Sequence, residues 1–201
     1  MSETKPKKIV FVCTGNTCRS PMAEYLLKKV LRKEKLRGFR VCSAGTEVAK
    51  GDGMNPYSLQ TLAEHGIEVK TFKSTALNEK LLSEAFAFIC MTERHRDLLL
   101  DMRWHALRKT GVDEIENNVY SFKEFTGYDV PDPYGWEIDK YHAVYDMLEG
   151  GMYAIIDGLE LRACALPPTP RKKKTDSIDI ESKEKTAPKK RGRPKKQTVN
   201  S

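Results

Sequence analysis

Ile9-Val10-Phe11-Val12-Cys13-Thr14-Gly15-Asn16-Thr17-Cys18-Arg19-Ser20-Pro21 reads as a buried strand, a short loop and the start of a helix. The apolar run has strand length, and Pro21 suits the first helical position, where its missing N–H leaves no orphan donor. The strand therefore delivers Cys13 to the carboxyl edge of a sheet. Beyond it, the amides of Thr14, Gly15, Asn16, Thr17 and Cys18, the positive end of the helix and the Arg19 guanidinium are expected to converge as a trap for a tetrahedral dianion. The same field favours a thiolate over a thiol. Gly15 and Asn16 are both able to take left-handed backbone geometry, and Ser20-Pro21 starts a helix directly after Arg19, so a merely structural buried cysteine is the weaker reading. One nucleophile beside one oxyanion binder is the equipment of a thiol enzyme for phosphate esters or amides. The Gly-Lys-Ser/Thr ending of a nucleoside-triphosphate loop is missing. Cys13 and Cys18 are too widely spaced for a zinc knuckle, and no second Cys/His pair completes a ligand set.

At 201 residues and 39% hydrophobic content, the chain can bury one substantial core with an appendage. Charge shows where they divide. Of the 35 Lys/Arg and 28 Asp/Glu, residues 171–201 hold 12 and 4, leaving 23 and 24 for residues 1–170. The net charge of +7 thus belongs to the end of the chain, and any attraction to polyanions concerns that end. The division predicted is a catalytic domain over residues 1–166 and a disordered basic tail over 167–201, which opens with Pro167-Pro168-Thr169-Pro170 and is nearly without aromatic or aliphatic residues. No apolar run reaches the length of a membrane span or signal-peptide core, so a cytoplasmic protein without a membrane partner is expected. Five cysteines, an odd number, fit reduced thiols better than a disulfide scaffold.

Strand-like runs alternate with helical patterns: Lys8–Val12 then Ala23–Lys33, Arg40–Ser43 then Pro56–His65, Phe86–Met91 then Glu93–Met102, and Val119–Phe122 then Ile138–Arg162. This alternation predicts an α/β fold, a three-layer, doubly wound, parallel four-stranded sheet with crossover helices. Asn55-Pro56 supplies an N-cap and a first-turn proline, His65-Gly66 a glycine stop, and Gly150-Gly151 a weak point or kink in the last helix. Ligands in such sheets bind beyond the carboxyl ends of the strands, where Cys13 to Arg19 would sit.

A phosphorylated thiol needs an acid for the departing group and a base to activate water. Asp129-Val130-Pro131-Asp132-Pro133-Tyr134-Gly135 follows the fourth strand on the edge that carries Cys13. Asp132 is favoured because Pro133 fixes its backbone and Tyr134 and Trp136 offer apolar walls. The four histidines, His65, His95, His105 and His142, lack ligand-like spacing and read as solvent or helix-face residues.

These pieces, together with Ser43-Ala44-Gly45-Thr46 and Cys90-Met91-Thr92, resemble the low-molecular-weight protein tyrosine phosphatase family over about residues 7–162. The resemblance implies Cys13 as nucleophile, Arg19 as phosphate and transition-state binder, Ser20 as hydroxyl donor to the thiolate, Asn16 as loop-geometry residue and Asp132 as general acid, then base. It implies no metal and no other cofactor. Thr14 and Thr17 look like the protein-arginine phosphatase branch, since tyrosine-specific members typically carry a larger aliphatic residue at the Thr17 position. A hydroxyl there suits a polar guanidinium better than a phenyl ring. Where many members carry His-x-x-Arg before the third strand, this chain has Phe72-Lys73-Ser74-Thr75, which leaves open what supports the loop there.

The expected function is therefore removal of phosphate from a phosphorylated protein, phosphoarginine before phosphotyrosine. Arsenate reduction on the same scaffold is the nearer enzymatic alternative, but it needs relay cysteines, and Cys90 and Cys164 form no close pair. A nucleic-acid-binding platform is the other alternative. It rests on Lys189-Lys190-Arg191-Gly192-Arg193-Pro194-Lys195-Lys196, which resembles an AT-hook suited to AT-rich DNA, or simply to another polyanion. Cys13 and Cys18 in one loop also predict a reversible disulfide on oxidation.

Overall fold

A computed structural model describes residues 5–49, 51–108 and 117–167. Four strands, β1 (Lys7–Cys13), β2 (Phe39–Gly45), β3 (Ala87–Cys90) and β4 (Val119–Ser121), form one sheet in the order β2-β1-β3-β4, with every pairing parallel. The register brings Cys13 opposite Gly45, Val12 opposite Cys90 and Cys90 opposite Ser121, so the strands end together at one edge. Alternate residues of β1 face opposite sides. Ile9, Phe11 and Cys13 join a core with Met22, Leu26 and Leu27 of α1 (Arg19–Lys33) and Val144, Leu148 and Ile155 of α6 (Ile138–Gly158). Val10 and Val12 join a second core with Leu82 of α3 (Glu79–Glu84) and Leu99 of α4 (Glu93–Arg108). Helices on both faces make the expected three layers, and a sheet covered on both sides explains why β1 is an apolar run without alternation.

The remaining helices are α2 (Pro56–Glu64), α5 (Phe122–Thr126) and α7 (Leu161–Cys164). Asn55 caps α2 by accepting the Tyr57 N–H at 2.9 Å, and Gly66 after it has φ +71°, as the sequence predicts. Three expectations change. First, α1 starts at Arg19, so Pro21 occupies the third helical position, where an N–H would still lack an intrahelical partner. Second, Gly150-Gly151 produces no break in α6. A Cβ on Gly151 would lie 2.7 Å from Phe122 Cε1, so this glycine lets α5 approach α6 closely. Third, the last helix divides after Gly158, because Glu160 turns left-handed at φ +50° before α7. Two short helices escape the periodicity reading. Asn78 caps α3 through the Leu81 N–H, and Ser121 with Glu124 forms a capping box on α5, a signature visible as Ser-x-x-Glu.

Among the described residues no helix is long and apolar enough to cross a membrane. The tail expected over 167–201, with its AT-hook-like stretch, lies outside the described residues apart from Pro167.

Candidate active site

Cys13 is the last residue of β1 and Arg19 the first of α1, so five residues turn the chain from strand to helix. Cys18 at the N-cap makes no side-chain capping bond and the first turn holds no acid, which leaves the positive end of α1 facing the loop. Asn16 takes the left-handed conformation at φ +55°, whereas Gly15 does not have positive φ, so only one of the two expected left-handed residues is used as such. Asn16 is fully buried. Its Oδ1 accepts the Thr75 N–H at 2.8 Å, its carbonyl accepts the Ser74 hydroxyl at 2.9 Å, and its Nδ2 donates to Ser20 Oγ at 3.0 Å. The Phe72–Thr75 stretch, where the sequence departs from the family pattern, is thus what buttresses the loop. Gly45 completes the fit, since a Cβ there would collide with the Thr14 carbonyl and with Val48.

Ser20 Oγ lies 3.0 Å from Cys13 Sγ and 3.4 Å from the Ala44 carbonyl. Because Asn16 already donates to that oxygen, the single Ser20 proton is free for the nearer acceptor, a Cys13 thiolate. Arg19 is buried, with Nη1 donating to the Val130 carbonyl at 3.3 Å and Nη2 to Asp132 Oδ2 at 2.7 Å. Met91 ties this segment to the sheet by accepting the Val130 N–H at 2.9 Å. The two aspartates of the segment divide the labour. Asp129 caps α4 by accepting the Glu93 N–H at 3.1 Å, while Asp132 faces Cys13 and Arg19.

Cys13, Thr14, Gly15, Thr17, Cys18, Arg19, Asp52, Asp132 and Tyr134 line a cavity of about 260 Å³. The predicted site residues Asn16 and Ser20 lie beneath its lining as supports. The apolar walls expected around Asp132 are not closed: its side chain is 51% exposed, Tyr134 is exposed at the rim and Trp136 lies outside the lining. Cys18 is buried, with Sγ 3.5 Å from Thr17 Oγ1 and 3.8 Å from the Tyr141 hydroxyl. Burial pushes its thiol above the ordinary cysteine value, against the opposing pull of those two hydroxyls. Burial raises Cys90 much further. Among the described residues no group of three or more His, Cys, Asp or Glu side chains is arranged to hold a metal ion.

Two residues of the site were not singled out from the sequence. Asp52, in the loop between β2 and α2, brings a second carboxylate to the cavity, and nothing in its local sequence marks it. His95 is not a surface residue: it is buried on α4 and hydrogen-bonded to Thr14 and Thr92. Burial, reinforced by nearby Arg19, pushes its pKa down to about 4. Its only sequence signal is Thr92-x-x-His95, a threonine at an N-cap position facing the third helical residue.

The sequence model of the low molecular weight phosphotyrosine protein phosphatases matches residues 8–163. The protein-arginine-phosphatase of Geobacillus stearothermophilus is 35% identical over 147 residues, covering 72% of this chain and 90% of the relative. The low molecular weight protein-tyrosine-phosphatase PtpB of Staphylococcus haemolyticus is 32% identical over 149 residues, 70% of this chain and 91% of its own. A crystal structure of a YwlE mutant from Bacillus subtilis superposes with a TM-score of 0.67 at 32% identity, over 77% of this chain and 99% of that one. With the strand, loop and helix of the site inside the matched span, the chain belongs to the low molecular weight phosphotyrosine protein phosphatase family.

Proposed function

We propose that the protein is a cysteine-dependent, metal-independent protein phosphatase that acts on phosphoarginine. The observation that carries the phosphatase reading is the convergence of Cys13, Ser20, Arg19 and Asp132 on one cavity. Cys13 Sγ attacks phosphorus, forming the S–P bond as the P–N bond to the guanidine breaks, and Asp132 gives its proton to the leaving nitrogen. Arg19 and the loop amides hold the equatorial oxygens, where charge spreads in the transition state. Asp132, now a base, takes a proton from water as that water attacks phosphorus. The S–P bond breaks, phosphate leaves and the thiolate is restored.

Two features of the lining favour phosphoarginine over phosphotyrosine. Thr17 places a hydroxyl in the wall, and Asp52 and Asp132 supply two carboxylates to a cavity that a cationic or polar guanidine would enter. The similarity to the Geobacillus stearothermophilus protein-arginine-phosphatase supports the same choice. The test compares kcat/KM on phosphoarginine and phosphotyrosine peptides, with Cys13→Ser as the control that keeps the anion cradle and loses the nucleophile. Preference for phosphoarginine together with an inactive Cys13→Ser sustains the reading. A wide preference for phosphotyrosine moves the substrate assignment to the other branch, and a fully active Cys13→Ser ends the mechanism.

The rest of the reading comes from the sequence: a cytoplasmic enzyme, a phosphatase domain over 1–166, and a basic tail over 167–201 whose Arg191-Gly192-Arg193 core enters the minor groove of AT-rich DNA. Truncation after Leu166 should then retain phosphatase activity and lose duplex binding. Titrations of AT-rich and GC-rich duplexes at two salt concentrations decide the tail's role, since equal affinities with a steep salt slope leave only nonspecific attraction.

A further inference from the structure

Thr14 and Thr92 reach His95 from opposite sides of its ring. Nε2 is 2.9 Å from Thr14 Oγ1, and Nδ1 is 2.7 Å from Thr92 Oγ1. Thr92 Oγ1 also accepts the His95 backbone N–H at 3.3 Å, which places the threonine as a cap on the first turn of α4. Its one hydroxyl hydrogen is then available to Nδ1, the ring atom 2.7 Å away. With Nδ1 accepting, a neutral imidazole carries its hydrogen on Nε2 and donates to Thr14 Oγ1; the opposite tautomer reverses both bonds. The ring is neutral near pH 7, because burial and the Arg19 and Arg94 charges outweigh the opposing pull of Asp132 and Asp129. In the first arrangement Thr14 accepts on its His95 side, and its own hydrogen is turned elsewhere. Thr14 lines the cavity together with Cys13 and Arg19.

We infer that Thr92 and His95 are positioning residues that fix the polarity of a hydrogen-bond chain and hold the Thr14 hydroxyl as a donor to the phosphoryl group. The inference rests on the phosphatase reading. It adds a side-chain donor to the amides and Arg19, and it gives the buried histidine on α4 a part in the site. Without His95, the Thr14 hydroxyl is free to rotate and to give its proton to another acceptor, which costs reorganisation when phosphate arrives.

Two measurements test it. In the full-length protein labelled with ¹⁵N-histidine, His95 should show the neutral form with hydrogen on Nε2 between about pH 6 and 8. Titration with inorganic phosphate should shift that Nε2 resonance in the wild type and not in Thr14→Val. A hydrogen on Nδ1, or a phosphate shift unchanged by Thr14→Val, overturns the inference whether or not the protein turns substrate over. In kinetics, His95→Leu and Thr14→Val should each lower kcat by about tenfold with little change in KM, the scale of one hydrogen bond to a charged group. The double variant should be no worse than Thr14→Val alone, and His95→Gln, which keeps an N–H at that reach, should recover most of the rate. Additive losses, or a folded His95→Leu with full kcat, also overturn it. Absence of wild-type turnover would instead overturn the phosphatase reading and leave the resonance experiment to judge the chain of hydrogen bonds.

Discussion

Arg19 Nη2 and Asp132 Oδ2 stand 2.7 Å apart, so the phosphate binder and the proposed proton donor hold each other across the cavity mouth. A phosphoryl dianion entering beside Cys13 competes with Asp132 for the guanidinium, and the Asp132 carboxyl group, once released and protonated beside the dianion, is free to meet the leaving group as an acid. Binding of the anion and delivery of the acid are one event in this geometry.

Replacement Asp132→Asn separates the two. The amide cannot protonate a leaving nitrogen or deprotonate water, and turnover should fall by ~10²–10⁴. The same change removes the competitor for Arg19, so inorganic phosphate should bind at least as tightly as to the wild type by calorimetry. A loss of phosphate affinity matching the loss of rate would make Asp132 a binding residue instead.

Selectivity should respond to the cavity wall. Thr17→Ile is expected to shift the ratio of kcat/KM toward phosphotyrosine peptide, and Asp52→Asn to lower the phosphoarginine value while sparing phosphotyrosine. Equal effects of Asp52→Asn on both peptides would remove it from substrate selection.

Mild peroxide should inactivate the enzyme reversibly. The Cys13 thiolate is oxidised to a sulfenic acid, and the Cys18 thiol then displaces water from it to form the disulfide. The buried, raised Cys18 thiol makes the second step the slower one. Peptide mapping should find Cys13 linked to Cys18 and a thiol reductant should restore activity. Over-oxidised Cys13 beside an intact Cys18 thiol is the opposing result.

His95 should leave a mark on stability as well. Its pKa in the folded chain is about 4, against ~6.5 for an exposed histidine. As pH falls through that window the unfolded chain takes up the proton first, so the contribution is complete above ~6.5 and is lost toward 4. The difference in unfolding free energy between wild type and His95→Gln should therefore narrow steadily on acidification. A difference independent of pH would mean that His95 titrates alike in both states.

Gly151→Ala tests the packing of α5 against α6. The added methyl would sit 2.7 Å from Phe122 Cε1 and 2.8 Å from Thr126 Cγ2, an overpacking expected to cost ~1–3 kcal/mol. Urea unfolding should show a lower midpoint at unchanged slope. An equally stable variant would mean that Phe122 moves aside without penalty.

The sequence by itself determined the sheet, because an apolar run without alternation followed by a glycine-containing turn and a helix start has few other solutions in a chain of alternating elements. It also pointed to the atoms proposed to do the chemistry. Cys13 and Arg19 are joined by a five-residue loop whose reach is set by local backbone geometry, and Asp132 sits beside a proline that fixes its direction. Local signals failed where partners are far apart in the chain. Asn16 is held by Ser74 and Thr75, Thr14 meets His95, and Asp52 reaches the cavity from the loop between β2 and α2. Gly151 read as a weak helix residue because its reason, the Phe122 ring, belongs to another helix. These contacts exist only once the parallel strands bring their carboxyl ends to one edge. Hydrogen bonds and close packing there depend on distances of a few ångströms between residues as far apart in the chain as Thr14 and His95, 81 positions, which neither periodicity nor spacing encodes.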